Sequence, residues 1–204
     1  LATEAGNRYR ATGPVVPRAI PATLHDSLLA RLDRLGPTRE LAQFGAALGR
    51  HFSHELISAV AEMPQNQVDD AMVQLEHAEL IFRRGVPPDA EYTFKHALVQ
   101  DAAYSTMLRS RRQQLHGRIA AILEGEFPEL GRTQPEFLAH HCAEAGLSEK
   151  AIDYYLAASK RATAASNNAE ASRQMARART LLDTLPASAR RATELRLKIE
   201  VGGW

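Results

Sequence analysis

The sequence predicts a mainly α-helical chain interrupted by one β-hairpin, and three observations predict it. Apolar residues recur at three- and four-residue intervals, as in Leu24, Leu28, Leu29, Leu32 and Leu35, the spacing that gathers side chains on one face of a helix. The exception is 80–94, where the β-prone runs Leu80-Ile81-Phe82-Arg83-Arg84 and Glu91-Tyr92-Thr93-Phe94 flank Gly85-Val86-Pro87-Pro88-Asp89-Ala90. Two such runs around a turn-rich insert read as a hairpin with a longish loop. Further on, small and large residues alternate at helical spacing, which predicts helices packed closely in a stack.

In chain order, residues 1–21 carry Gly6, Asn7, Gly13, Pro14, Pro17 and Pro21, punctuation too dense for a persistent helix, with at most a short strand at 9–12. This lead-in segment is expected to be ordered by something that precedes it. Leu1 in place of a Met, and the ending Gly202-Gly203-Trp204, look like cuts from a longer protein. Thr23 is placed as the N-cap of the first helix, which Gly36-Pro37 ends. A second helix spans 38–48 with Leu41, Phe44, Ala47 and Leu48 on one face, closed by Gly49. Ser53 caps a short third helix with Leu56, Ile57 and Val60 inward, ended by Pro64, and a fourth over 67–80 buries Val68, Ala71, Met72, Leu75 and Ala78. Three helices followed by a hairpin is the order of a winged helix. Because a two-stranded hairpin is marginal alone, it is expected to lean on those helices.

The next helix starts near His96, with Leu98, Ala102 and Leu108 on one face and Val99 and Ala103 adjoining. A helix over 110–126 follows, with Leu115, Ile119, Ile122 and Leu123 inward, then a loop at 128–135 and four helices over 136–145, 149–165, 169–185 and 189–201. Ala151, Tyr155 and Ala158 stand at A-x-x-x-Y-x-x-A spacing, and Ala171, Met175 and Ala178 repeat it twenty positions on. Small residues let two helices approach while the large one fills the gap, as in tetratricopeptide pairs; twenty positions fall short of the ~34 of a regular array. The region is therefore read as tetratricopeptide-like, an elongated right-handed stack with a concave face for a protein segment. The expected organisation is a lead-in at 1–21, a winged-helix domain at 22–108 and a tetratricopeptide-like helical region at 109–204.

Lys and Arg total 25 and Asp and Glu 24, a net charge of +1, so nothing pulls the whole chain toward nucleic acid or a membrane surface. The single cysteine, Cys142, cannot form an internal disulfide, and no apolar run approaches membrane-spanning length, which points to a cytoplasmic protein with no membrane partner. Neither G-x-x-x-x-G-K-[ST] nor G-x-S-x-G nor H-E-x-x-H nor C-x-x-C occurs, so no catalytic residue, metal site or cofactor is assigned to the chain itself. His140-His141-Cys142 resembles a metal cluster, but consecutive helical residues point about 100° apart and do not close on one ion. His51 and His54 flank a helix start, the second partly exposed, and carry no assigned role.

A winged helix raises the alternative of a DNA-binding transcription regulator. The helix that would enter the groove carries Asp69, Asp70, Glu76 and Glu79, which would face phosphates, and Arg83 and Arg84 do not offset them. The charge therefore argues against DNA as a partner. The arginines at 109, 111, 112 and 118 read as a solvated helix face or as a surface for an acidic partner domain of the same chain.

The runs IPATLHDSLLARLDRLGPTRELAQFGAALGRHFSHELISAV, AELIFRRGVPPDAEYTFKHALVQDAAYSTMLRSRRQQLHGRIA and LAHHCAEAGLSEKAIDYYLAAS resemble the region C-terminal to the ATPase core of bacterial signal-transduction ATPases of the STAND/AAA type. More narrowly, they are similar to multidomain proteins in which a class III adenylate/guanylate cyclase domain precedes the ATPase module and a helical-repeat region. The resemblance implies a non-catalytic regulatory fragment that couples the nucleotide state of an upstream ATPase module to a platform for a protein ligand. ATP or ADP would belong to the parent, which would carry any cyclase activity. Its most specific part, FKHALVQDAAY, is also similar to the methionine-histidine-aspartate segment of plant disease-resistance proteins and apoptotic ATPases. There the histidine lies near the phosphates of ADP. Carried over, that histidine is His96, while Lys95 and Ala97 occupy the methionine and aspartate positions. Independently, an imidazole at a strand-to-helix junction can donate to an anion held at the helix N-terminus. The alternative is that His96 only caps or packs locally.

Overall fold

The computed structural model describes residues 22–202, with side chains from 27 to 197. The lead-in at 1–21, its short strand and the final Gly203-Trp204 lie outside the described residues, as does the inward face assigned to Leu24. Among the described residues there are eleven α-helices and one three-stranded antiparallel sheet.

Helix α1 (Ala22–Asp33) buries Leu28 and Leu32. It begins at Ala22, so Thr23 falls inside its first turn and not at the cap. Gly36, at φ 55, turns the chain in the left-handed region that glycine enters at no steric cost. Helix α2 (Thr38–Leu48) follows, and burial extends around its whole circumference, Gln43 and Gly45 included. That marks it as the central helix of the core. A Cβ on Gly45 would stand 2.7 Å from the Phe52 ring, so the close approach of strand and helix requires glycine there.

Strand β1 (His51–Ser53) was not legible as a strand in the sequence. It pairs with β3 (Glu91–Phe94), which pairs in turn with β2 (Ile81–Arg84), giving the order β1-β3-β2. The hairpin therefore leans on a third strand as well as on helices. Phe52, Tyr92, Ile81 and Phe94 face inward, with Phe52 5.8 Å from each of the rings of Tyr92 and Phe94. Between β1 and β2 lie α3 (His54–Ala61) and α4 (Gln65–His77). Ser53 caps α3 as expected, its hydroxyl accepting from Leu56 N–H at 3.1 Å. The α4 pattern starts two residues earlier and ends three residues sooner than 67–80, because Glu79 enters the left-handed region at φ 58. His54 is buried, not partly exposed: Tyr92 Oη lies 3.0 Å from its Nδ1 and Gln65 Nε2 2.7 Å from its Nε2.

Helix α5 (Ala97–Ser105) packs on α2 and α1 through Val99, Ala102 and Ala103. Leu108, expected on that buried face, is 76% exposed, since the helix ends at Ser105 and the chain turns at Leu108 into α6 (Arg109–Gly125). Leu115, Ile119 and Leu123 of α6 are buried. The expected loop at 128–135 is instead a short helix, α7 (Pro128–Thr133), followed directly by α8 (Pro135–Glu144). Each has proline in its first turn, where the missing N–H costs nothing. Helices α9 (Ser148–Ala164), α10 (Asn168–Thr180) and α11 (Ala187–Gly202) complete the chain, with a 3-10 turn at Leu182–Thr184. Ala151, Tyr155 and Ala158 of α9 and Ala171, Met175 and Ala178 of α10 are all buried. The approach is close enough for Ser159 Oγ to donate to the Ala171 carbonyl at 3.0 Å. One buried apolar cluster runs from Leu28 to Leu197 without a break between the halves.

Candidate functional site

His96 stands where β3 hands over to α5. The strand ends tied to its surroundings: Phe94 N–H donates to Arg50 O at 3.1 Å and Lys95 N–H to Leu80 O at 3.0 Å. His96 is then extended, at φ −135 and ψ 140, and its carbonyl accepts from Val99 N–H at 3.0 Å, starting the helix. Its ring does not cap α5, is exposed, and has no hydrogen bond or ion pair among the described residues. The first turn of α5 contains no acidic residue, so its N–H groups and positive dipole end meet no carboxylate of that turn. Local capping, the bland role open to His96, is not what the ring does. Lys95 differs: its Nζ lies 4.8 Å above the Phe82 ring and 3.9 Å from Glu79.

The surface that would face DNA keeps its carboxylates, and they engage Arg83 but not Arg84, which is exposed and has no partner among the described residues. Arg83 pairs with Glu76 at 3.4 Å, and Asp69 receives Gln65 Nε2 at 3.0 Å beside His54 Nε2 at 3.1 Å. The arginines of α6 likewise find partners in the first half of the chain. Arg111 pairs with Glu40 of α2; Arg118 pairs with Glu62 at 2.9 Å and lies 5.0 Å over Phe44; Arg112 lies 5.0 Å over Tyr104. Through these contacts Arg111, Arg112 and Arg118 join α6 to α2, to the end of α3 and to α5. Arg109 alone of the four has no partner among the described residues.

One cluster escaped sequence reasoning. Spacing along the chain relates His140 and His141 only to their neighbour Cys142, whereas the structure brings His116 from α6 to them. Tyr104 Oη is 2.9 Å from His116 Nε2, and His116 Nδ1 is 2.8 Å from His141 Nδ1. The His140 ring lies 5.6 Å from His116 and 5.4 Å from His141. Burial pushes the His116 imidazolium down to about 4, helped by His140 and Arg112. Burial likewise holds His141 well below the ordinary histidine value and lowers His140. These rings are therefore neutral at pH 7, and one proton lies between the two Nδ1 atoms. His141 Nε2 is buried without a partner; an acceptor is cheaper to leave so than a donor, which favours a chain running from His141 Nδ1–H to His116 and from His116 Nε2–H to Tyr104. Cys142 is buried, and burial pushes its thiol up to about 11, so it is an inert thiol at neutral pH. Among the described residues no three His, Cys, Asp or Glu are arranged to hold a metal ion, and no helix is long and apolar enough to cross a membrane.

No protein-family profile matches the chain, and no solved structure matches it. It is similar to an uncharacterized protein of Rhizobium meliloti (strain 1021), 30% identical over 145 residues. Those residues are 71% of this chain and 14% of that protein, so the chain spans about a seventh of the relative's length.

Proposed function

We propose that the chain is a regulatory and protein-interaction fragment of a larger cytoplasmic signalling ATPase, in which residues 22–108 form a winged helix and 109–204 a tetratricopeptide-like platform. The order α2-β1-α3-α4-β2-β3, with sheet order β1-β3-β2, supports the first half of that reading. The buried small-large-small positions of α9 and α10 support the second. A relative about seven times as long as the matched region is consistent with attachment to further modules, including an ATPase and a cyclase domain.

The observation that carries the mechanism is the exposed, unpartnered ring of His96 at the uncapped start of α5. There it is free to donate to a phosphate oxygen of ADP presented by an upstream module, which would bias the parent toward a closed arrangement that ATP releases. In the parent protein, His96→Ala is expected to raise the ADP dissociation rate by about tenfold, the loss of one charge-assisted hydrogen bond. Unchanged ADP release and unchanged signalling output would sink the sensor role.

A further inference from the structure

Between the end of α2 and helices α5, α6 and α8 lies a cleft of about 590 Å³. That volume falls within the range of small-molecule sites, which favour seams between packed modules. Four rings line it, those of Tyr104, His116, Phe137 and His140. So do three carboxylates, Asp101, Glu136 and Glu144, and neither lysine nor arginine. Glu136 is engaged by Arg161 at 2.9 Å. Asp101 and Glu144 have no ion pair or hydrogen bond among the described residues.

The imidazoles do not neutralise these carboxylates, because burial keeps His116 and His140 uncharged. Arg177 acts on His140 from outside the cleft wall, and Arg109 and Arg112 line an adjoining cavity that shares Tyr104 and Glu144, so Asp101 is the unpaired cleft carboxylate farther from these cations. The cleft lining is thus acidic and aromatic and itself holds neither lysine nor arginine.

We propose that this cleft binds a small organic cation, an amine or guanidine on an aromatic or apolar body, with Asp101 and Glu144 meeting the charge and the rings of Phe137, His140 and Tyr104 the body. A cation beside aromatic faces gains from their quadrupoles as well as from the carboxylates. Recognition of such a ligand joins residues of both halves, α5 on one side and α8 on the other.

The test is NMR titration of the full chain at pH 7.5, following the imidazole C–H signals of His116 and His140. Benzylamine is expected to shift them saturably. Benzyl alcohol, of nearly the same shape without the charge, is expected to bind at least about tenfold more weakly, a difference of ~1.4 kcal/mol. The combined variant Asp101→Asn, Glu144→Gln, both at exposed positions, should keep the backbone amide spectrum and lose about the same factor. No saturable shift, an equal response to benzyl alcohol, or undiminished binding in the variant would each overturn the proposal. The comparison of amine with alcohol uses the wild-type chain, so it decides the matter even if the variant fails to fold.

Discussion

Two Nδ1 atoms 2.8 Å apart hold one proton, so His116, whose other nitrogen is engaged by Tyr104, cannot accept a second without breaking the bond between α6 and α8, and a second proton on His141 would sit on its buried, unpartnered Nε2. Both rings have folded-state values below the unfolded value of about 6.5, His116 at about 4. As pH falls below 6.5 the unfolded chain takes up protons that the folded chain refuses, so stability must fall with pH. For His116 alone the loss between pH 7.5 and 5 is about 2 kcal/mol, with a further loss from His141. Urea denaturation at the two pH values measures it, and equal midpoints would show that the pair is not held neutral. A second residue-scale expectation concerns the cap of α3. Ser53→Ala leaves Leu56 N–H without its side-chain acceptor and is expected to cost about 1 kcal/mol in thermal or urea unfolding.

At the scale of elements, the pairing of α9 with α10 depends on alanines where a larger side chain has no room. Ala178 is fully buried, whereas Ala176, two residues away on the same helix, is exposed. Ala178→Leu is therefore expected to destabilise by about 1–3 kcal/mol through overpacking, and Ala176→Leu to stay within about 0.5 kcal/mol of wild type. Equal effects in denaturant unfolding would mean that the small residues do not set the helix separation. Helix α6 has a different role, tying the halves together: its positive first turn is offset by Glu40 at Arg111 and by the Tyr104 ring at Arg112. The ion pairs of Arg111 and Arg118 are partly exposed and each contributes no more than about 1 kcal/mol. Apolar burial along Leu115, Ile119 and Leu123 is the larger attachment.

For the whole molecule, an apolar cluster that runs unbroken from Leu28 to Leu197 leaves no seam at which one half could unfold without exposing the core of the other. Tyrosine fluorescence and far-ultraviolet circular dichroism are expected to report one coincident denaturant transition, and two separated transitions would contradict a shared core. At this scale charge also bears on DNA. With Arg83 and Lys95 directed to the carboxylates of Glu76 and Glu79, the chain is expected to give no saturable, salt-sensitive mobility shift with duplex DNA.

The sequence by itself determined the mainly helical class, most helix faces and the β2–β3 hairpin, because 3.6-residue periodicity, Gly and Pro are properties of neighbouring residues. It also placed His96 at the strand-to-helix junction, which needs only the two flanking patterns. Local reading failed for β1, a three-residue strand whose register partner for Phe52 is Tyr92, and for α7, whose Pro128 and Gly131 mimic a loop. The exposure of the His96 ring, the Arg111–Glu40 pair across 71 positions and the His116–His141 bond across 25 were decided by tertiary structure alone. Which side chains meet across such distances depends on how the helices pack, and packing is a property of the folded core that no local spacing records.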